Sequence, residues 1–138
     1  MSEREYPVPG FPDYFVLADG QVVSYKLGKR SIIKGARQVY GFQGKRVEYR
    51  HRLISSEGER YARQGQVVIA AKYGRWPEPY EEVRHMDGDH TNNSMSNLQL
   101  GDHLNNIIDD IERGDRQTSV EQLDLAIARL MSIREKLE

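Results

Sequence analysis

The chain is 138 residues long, enough for one compact domain with a modest core or for two small modules that share one. It contains no cysteine, which excludes disulfides and Cys-ligated structural zinc, so any metal must be held by oxygen and imidazole nitrogen. The formal net charge is -1. No apolar run approaches the roughly 18 residues of a membrane span, and the opening MSEREYPVPG lacks a signal-type apolar core, so a soluble, cytosolic protein is expected.

In PGFPDYFVLADGQVVSYK, Tyr14 and Val16 before the Ala18-Asp19-Gly20 turn and Val22 and Ser24 after it alternate as in a β-hairpin. Ser31–Ile33 and Arg46–His51 read as further strands, the second after a turn region at Gly41–Gly44, so the N-terminal third is expected to be a small antiparallel sheet. Ser55–Gly58 reads as a loop and Gln66–Tyr73 as a short helix closed by Gly74. The prolines of Trp76-Pro77-Glu78-Pro79 interrupt regular structure and mark a module boundary, where Tyr73, Trp76 and Tyr80 are assigned to packing.

After that boundary, Glu82–Met86 reads as a strand, the turn formers of Asp87–Ser94 as a polar loop, and Asn97–Leu100 as the return strand. A helix follows, with Asp102 as N-cap and Leu104, Ile107, Ile108 and Ile111 as an apolar stripe. Strand, polar loop, strand, helix is the ββα order. The last helix, about Val120–Leu137, starts behind Thr118 or Ser119 and presents Leu123, Ile127, Leu130, Ile133 and Leu137 along one side. Such a stripe has to be covered, either by the chain's own sheet or by the same helix of a second copy, and the homodimer is preferred.

Charge is distributed unevenly. Lys26, Lys29, Arg30, Lys34, Arg37, Lys45, Arg46, Arg50 and Arg52 share a stretch in which Glu48 is the only acid, whereas acids dominate from Glu78 to Asp115. A basic module beside an acidic one suits a phosphate-gripping surface next to a metal site, and two differently charged solvated faces would give the same pattern.

The segment VRHMDGDHTNNSMSNLQLGDHLNN carries His85, the Asp87-Gly88 turn, Asn92-Asn93, Asn97-Leu98, His103 and Asn106. Asn97 follows His85 by twelve residues and Asn106 follows it by twenty-one. In these residue types and spacings the chain resembles the HNH homing endonucleases of phages and mobile introns, and PGFPDYFVLADGQVVSYK resembles the module that often precedes their site. The resemblance implies an α+β fold: a basic, DNA-contacting β module over 1–75, a ββα-metal (HNH) nuclease motif over 76–116, and a C-terminal amphipathic helix over 117–138. It also implies a metal-dependent endonuclease or nickase acting on DNA in a bacterial host cell, and so a cytoplasmic, phage-encoded or mobile-element protein.

The chemistry fits those residues. Phosphodiester hydrolysis needs a base to take a proton from water and a divalent cation to neutralise phosphate charge. His85 can be the base, since imidazole titrates near neutral pH, and Asn106 offers an amide oxygen to a hard cation such as Mg²⁺, with Mn²⁺ as the alternative. By resemblance, Asn97 braces the loop and orients the base. Family members commonly place an acid or a second histidine just before the base, and here that residue is Arg84, which has no lone pair to give a metal. Asp87, Asp89, His90 and His103 are the nearby substitutes, of which Asp87 and His103 are taken with Asn106 as the metal set, and Arg84 is assigned to phosphate. The DNA-contacting set is then Arg84 with Lys26, Lys29, Arg30, Lys34, Lys45 and Arg46. The competing reading is a catalytically weakened HNH fold that binds a nucleic acid, a nucleotide or a host protein. His51 and His90 are most simply surface histidines.

Overall fold

The structure, a computed structural model, describes residues 3–40, 46–114 and 120–138. The expected Gly41–Gly44 turn, Lys45, and the Thr118 or Ser119 helix start lie outside the described residues. The chain divides into two compact units, Met1–Asn106 and Ile107–Glu138.

Among the described residues, nine strands and three α-helices give a mixed α+β architecture. Strands β1 (Tyr6–Val8), β2 (Phe11–Val16), β3 (Val22–Ser24) and β4 (Ser31–Ile33) form an antiparallel sheet in chain order. Strands β5 (Ala36–Tyr40), β6 (Arg46–Ser55) and β7 (Gly58–Arg63) form a second, and β8 (Glu81–His85) pairs with β9 (Leu98–Asp102) in a third. Helices α1 (Gln64–Tyr73), α2 (His103–Arg113) and α3 (Val120–Leu137) complete the order. The expected hairpin at Ala18-Asp19-Gly20 is present, with Tyr14 opposite Ser24 and Val16 opposite Val22.

Three strands were not anticipated. β1 is only three residues long, and β5 and β7 expose most of their side chains, so neither shows the apolar alternation that marks a half-buried strand. Ser55–Gly58, read as a loop, is a tight turn with long strands on either side of it, and Ser55 sits opposite Gly58. The return strand begins one residue later than expected, because Met95–Asn97 coil into a single 3₁₀ turn.

The core is built on α1. Val67 to Ala71 are five consecutive buried residues, so this helix is apolar on every side and has to be surrounded. It touches β1, β2, β3, β6, β7, β8 and β9. Val8, Phe11, Tyr14, Val16 and Val22 meet it from the first sheet, Leu53 and Ala62 from the second, and Met95 and Leu98 from the region of the third, all in one hydrophobic cluster. Each aliphatic side chain so buried contributes about 1.5 to 3 kcal/mol. The helix stops at Gly74, whose φ of 72° is left-handed. Lys72 in its last turn donates to the carbonyls of Met95 and Leu98, both at 2.7 Å, and so ties α1 to the start of β9. Trp76 packs edge-on against Phe11 at 6.0 Å and donates its indole N–H to Pro9, whereas Tyr80 is exposed.

His51 is a correction to the sequence reading. It is 2% exposed, on the inward face of β6 with Leu53, and neither ring nitrogen has a hydrogen-bond partner among the described residues. Burial alone pushes its pKa from 6.5 down to about 4. Among the described residues no helix is long and apolar enough to cross a membrane.

The buried ring makes stability depend on pH with a definite sign. Between pH 6.5 and about 4 the unfolded chain protonates His51 and the folded chain does not, so stability is complete above 6.5 and falls as pH drops through that window. The loss is on the order of 3 kcal/mol at the acid end. Urea unfolding at a series of pH values should show this decline, and His51→Leu should flatten it. An unchanged pH dependence in the variant would contradict the assignment.

Candidate functional site

The third sheet and the start of α2 form the ββα unit. Successive side chains of β8 alternate in direction, and here the two faces serve different neighbours. Val83 and His85 face the first turn of α1: a Cβ on Gly65 would lie 3.5 Å from Val83 Cγ1 and 3.8 Å from His85 Cε1. Glu82 and Arg84 face α2. Glu82 accepts from Asn106 Nδ2 at 2.7 Å and stands 3.0 Å from His103 Nδ1. The alkyl arm of Arg84 fills the space over Gly101, beside Asn105, where any side chain at 101 would collide with it.

Helix α2 is fixed at its origin by a reciprocal cap. Asn105 N–H donates to Asp102 Oδ1 at 2.8 Å and Asp102 N–H donates to Asn105 Oδ1 at 3.0 Å, which holds His103 and Asn106 in the first turn against β8. Asn106 also lies 3.4 Å from the Val83 carbonyl through the same amide nitrogen. With Nδ2 occupied by Glu82, the amide oxygen of Asn106 is directed elsewhere. With Nδ1 of His103 on Glu82, its Nε2 is the nitrogen left for another partner.

The loop between β8 and β9 is organised around Asp87 and Asn97. Asn97, 9% exposed, receives the Asp87 N–H on its amide oxygen at 3.0 Å and donates through Nδ2 to Asp87 Oδ1 and the Asn92 carbonyl, both at 2.9 Å. Its carbonyl accepts from Met86 N–H at 2.9 Å. Asp87 also accepts from Asn92 Nδ2 at 2.7 Å and from Asp89 N–H at 2.9 Å. Asn92 and the Asp89 backbone, with Asn97 adding, hold the Asp87 carboxyl below the usual carboxylate range. Thr91 does the same for Asp89. Asp87, one of the residues taken for the metal set, thus spends both carboxylate oxygens inside the loop.

His85 ends β8. Its Nε2 is 2.9 Å from Asn93 Oδ1, and its ring meets that of His90 edge-on at 5.1 Å between centroids. The residue hydrogen-bonded to the candidate base is therefore Asn93, whereas the hydrogen bonds of Asn97 run along the loop. Neither Asn93 nor Glu82 was assigned a role from sequence. Glu82 was legible in principle, because a strand places residue 82 on the same face as residue 84. The partner of Asn93 carries no signal in a single sequence.

Lys26 and Lys29 are exposed in the β3–β4 turn and Lys34 is exposed 5.6 Å from the Tyr49 ring. Arg30 is engaged by Glu5 at 2.9 Å and Glu3 at 3.7 Å. Among the described residues no three His, Asp or Glu side chains converge as a ready metal cluster.

A hairpin that ends in histidine, a loop pinned by a buried asparagine, and a helix whose first turn presents His and Asn make up a ββα arrangement. Residues 66–110 match the sequence pattern of a family described as HNH endonucleases, and the match begins within α1, upstream of the hairpin. Among solved structures, the HNH homing endonuclease I-HmuI is similar with a TM-score of 0.60 and 22% identity, over 91% of this chain and 68% of that one. No curated protein sequence matches. Residues 66–110 thus carry the HNH endonuclease pattern, and the α+β fold resembles that of an HNH homing endonuclease.

Proposed function

We propose that this protein is a metal-dependent HNH endonuclease or nickase that hydrolyses DNA phosphodiester bonds, of phage or mobile-element type and acting in the cytoplasm of a bacterial host. The observation that supports it most is that one strand, β8, carries His85 on one face and a Glu82-anchored Asn106 and His103 on the other. The structural relative I-HmuI is described as binding and cleaving DNA, and DNA is accordingly the substrate proposed here.

The residues fit a divalent cation of the Mg²⁺ or Mn²⁺ kind. Asn106 Oδ1 and His103 Nε2 would hold it, and Glu82 orients both by accepting from their other nitrogens, an arrangement common behind metal ligands. With two neutral protein donors, the cation would keep several waters and take further ligands from phosphate. When bound, the cation neutralises charge on the scissile phosphate and the leaving oxygen. His85 takes the proton of the attacking water, Asn97 keeps the loop in shape, and Arg84, Lys26, Lys29, Arg30, Lys34, Lys45 and Arg46 contribute positive charge toward DNA phosphates. In place of the direct carboxylate that Asp87 was expected to give, this reading uses Glu82 behind the ligands. Because Arg84 stands where relatives commonly carry a ligand, a DNA-binding protein with weakened catalysis is the second reading.

Nicking of supercoiled plasmid with Mg²⁺ or Mn²⁺ separates the two. Cleavage should require the divalent ion, His85→Ala should lower the rate by about 10² to 10⁴, and Glu82→Gln should raise the Mg²⁺ concentration for half-maximal cleavage by about tenfold. An alanine variant that cuts at the wild-type rate would contradict the site. A protein that binds the plasmid without cutting it would favour the second reading.

We also propose that α3 joins two copies of the chain. Leu123, Ile127, Leu130 and Ile133 recur along one side of this 18-residue helix, and two-fold pairing is the commonest way to bury such a stripe. Light scattering at micromolar concentration should give a dimer mass that Leu130→Glu reduces to a monomer. A monomeric wild-type protein would remove the dimer.

A further inference from the structure

Why His85 should act through one particular ring nitrogen is answered by its neighbour. An amide oxygen has lone pairs and no hydrogen, so at 2.9 Å from Asn93 Oδ1 the Nε2 of His85 has to be the donor. A neutral imidazole carries one N–H, and with it on Nε2 the lone pair is on Nδ1. We propose that Asn93 is the positioning residue that fixes His85 as its Nε2–H tautomer, and that the first β-hairpin of the chain holds Asn93 in place. This deepens the reading of His85 as general base and rests on it. Nδ1 is the atom that receives the proton: the water O–H bond breaks, the N–H bond forms on Nδ1, and the oxygen's electron pair is free for phosphorus. The resulting imidazolium keeps its Nε2–H on Asn93.

Three contacts keep Asn93 where it is. The turn between β2 and β3 presses Gly20 against the Asn93 backbone so closely that a Cβ at 20 would overlap the Asn93 carbonyl, and Gly20 has a φ of 92°. Ala18 accepts from the Met95 N–H at 2.9 Å, and Gln64, at the start of α1, donates its side-chain amide to the Gly20 carbonyl. On the other side, Gly65 leaves room for the pair: its Cβ would be 3.3 Å from Asn93 Oδ1. Residues about seventy positions upstream thus set the loop that sets the tautomer. The N-terminal hairpin is a brace for the nuclease loop.

The tautomer can be read without any cleavage. Two-bond ¹H–¹⁵N spectra of the full chain, recorded at about pH 8.5 where ordinary imidazoles are neutral, distinguish Nε2–H from Nδ1–H. Wild-type His85 should be the Nε2–H form alone, and Asn93→Ala should give a mixture. Asn93→Asp, whose carboxylate oxygen still accepts, should restore the single form. Gly20→Ala should loosen it, while Gly28→Ala should not: Gly28 has a similar φ of 79° but nothing within 4 Å of the added Cβ. Nicking by Asn93→Ala should fall about 10- to 100-fold, the range seen when an orienting partner is removed. An unchanged single tautomer in Asn93→Ala overturns the proposal whatever the cleavage rate. A mixed tautomer with undiminished nicking instead overturns His85 as the base and leaves the positioning intact.

Discussion

Five consecutive buried residues in one ten-residue helix set the terms for this molecule. Val67 to Ala71 leave α1 with no face that can be solvated, so every neighbouring element is recruited to cover it. Among the described residues, the N-terminal sheet, the β6–β7 hairpin and the β8–β9 hairpin share no strand pairing with one another. Burial against a common helix joins all three, beside direct contacts such as Met95 N–H to Ala18 O, and a large-to-small change at Ile69 would cost about 2 to 5 kcal/mol at that junction. The β8–β9 hairpin is therefore not an independent module bolted to the N-terminal sheets. Its inner face, through Met95, Leu98 and Val83, belongs to the same hydrophobic cluster as Val16 and Val22.

This packing has a chemical consequence because β8 is covered on both sides by different partners. Toward α1, its side chains lead to His85 and Asn93, tucked where Gly65 has no side chain. Toward α2, they lead to Glu82, which gathers His103 and Asn106. A strand's alternation thus sorts His85 and Asn93 from Glu82, His103 and Asn106, and the reciprocal Asp102–Asn105 cap fixes where α2 begins. The loop between them is a polar network, with Asn97 bonded to Asp87, Asn92 and Met86. A small loop dense in Asn and Asp can be rigid when nearly every side chain is answered.

Much of this was legible in the residues. The first hairpin, α1, the ββα order and the Asp102 cap follow from alternation, turn chemistry and capping preference, all local properties of the chain. His85, His103 and Asn106 also have their elements where expected, whereas Asn97 lies in a 3₁₀ turn before the return strand. Less accessible were β5 and β7, exposed strands whose outward Arg, Tyr and Glu residues hide the period of two, and His51, whose burial depends on a sheet the sequence only half revealed. Arg84 drew attention as a missing ligand, yet Glu82, two residues away on the same face, carried the carboxylate. The partnership of Asn93 with His85 and Gly20 is a tertiary contact between distant segments. No periodicity encodes it.

The claim that α1 makes the N-terminal sheet and the nuclease loop one cooperative structure is tested most directly by native-state hydrogen exchange. The amides of Val68 and Ile69 in α1 should be compared with Asp87, bonded to Asn97 Oδ1, and Met95, bonded to the Ala18 carbonyl. The account predicts that all of them exchange through one opening with a common free energy, and that mild denaturant lowers their protection in parallel. Loop amides that exchange with a much smaller free energy while α1 stays protected would contradict it.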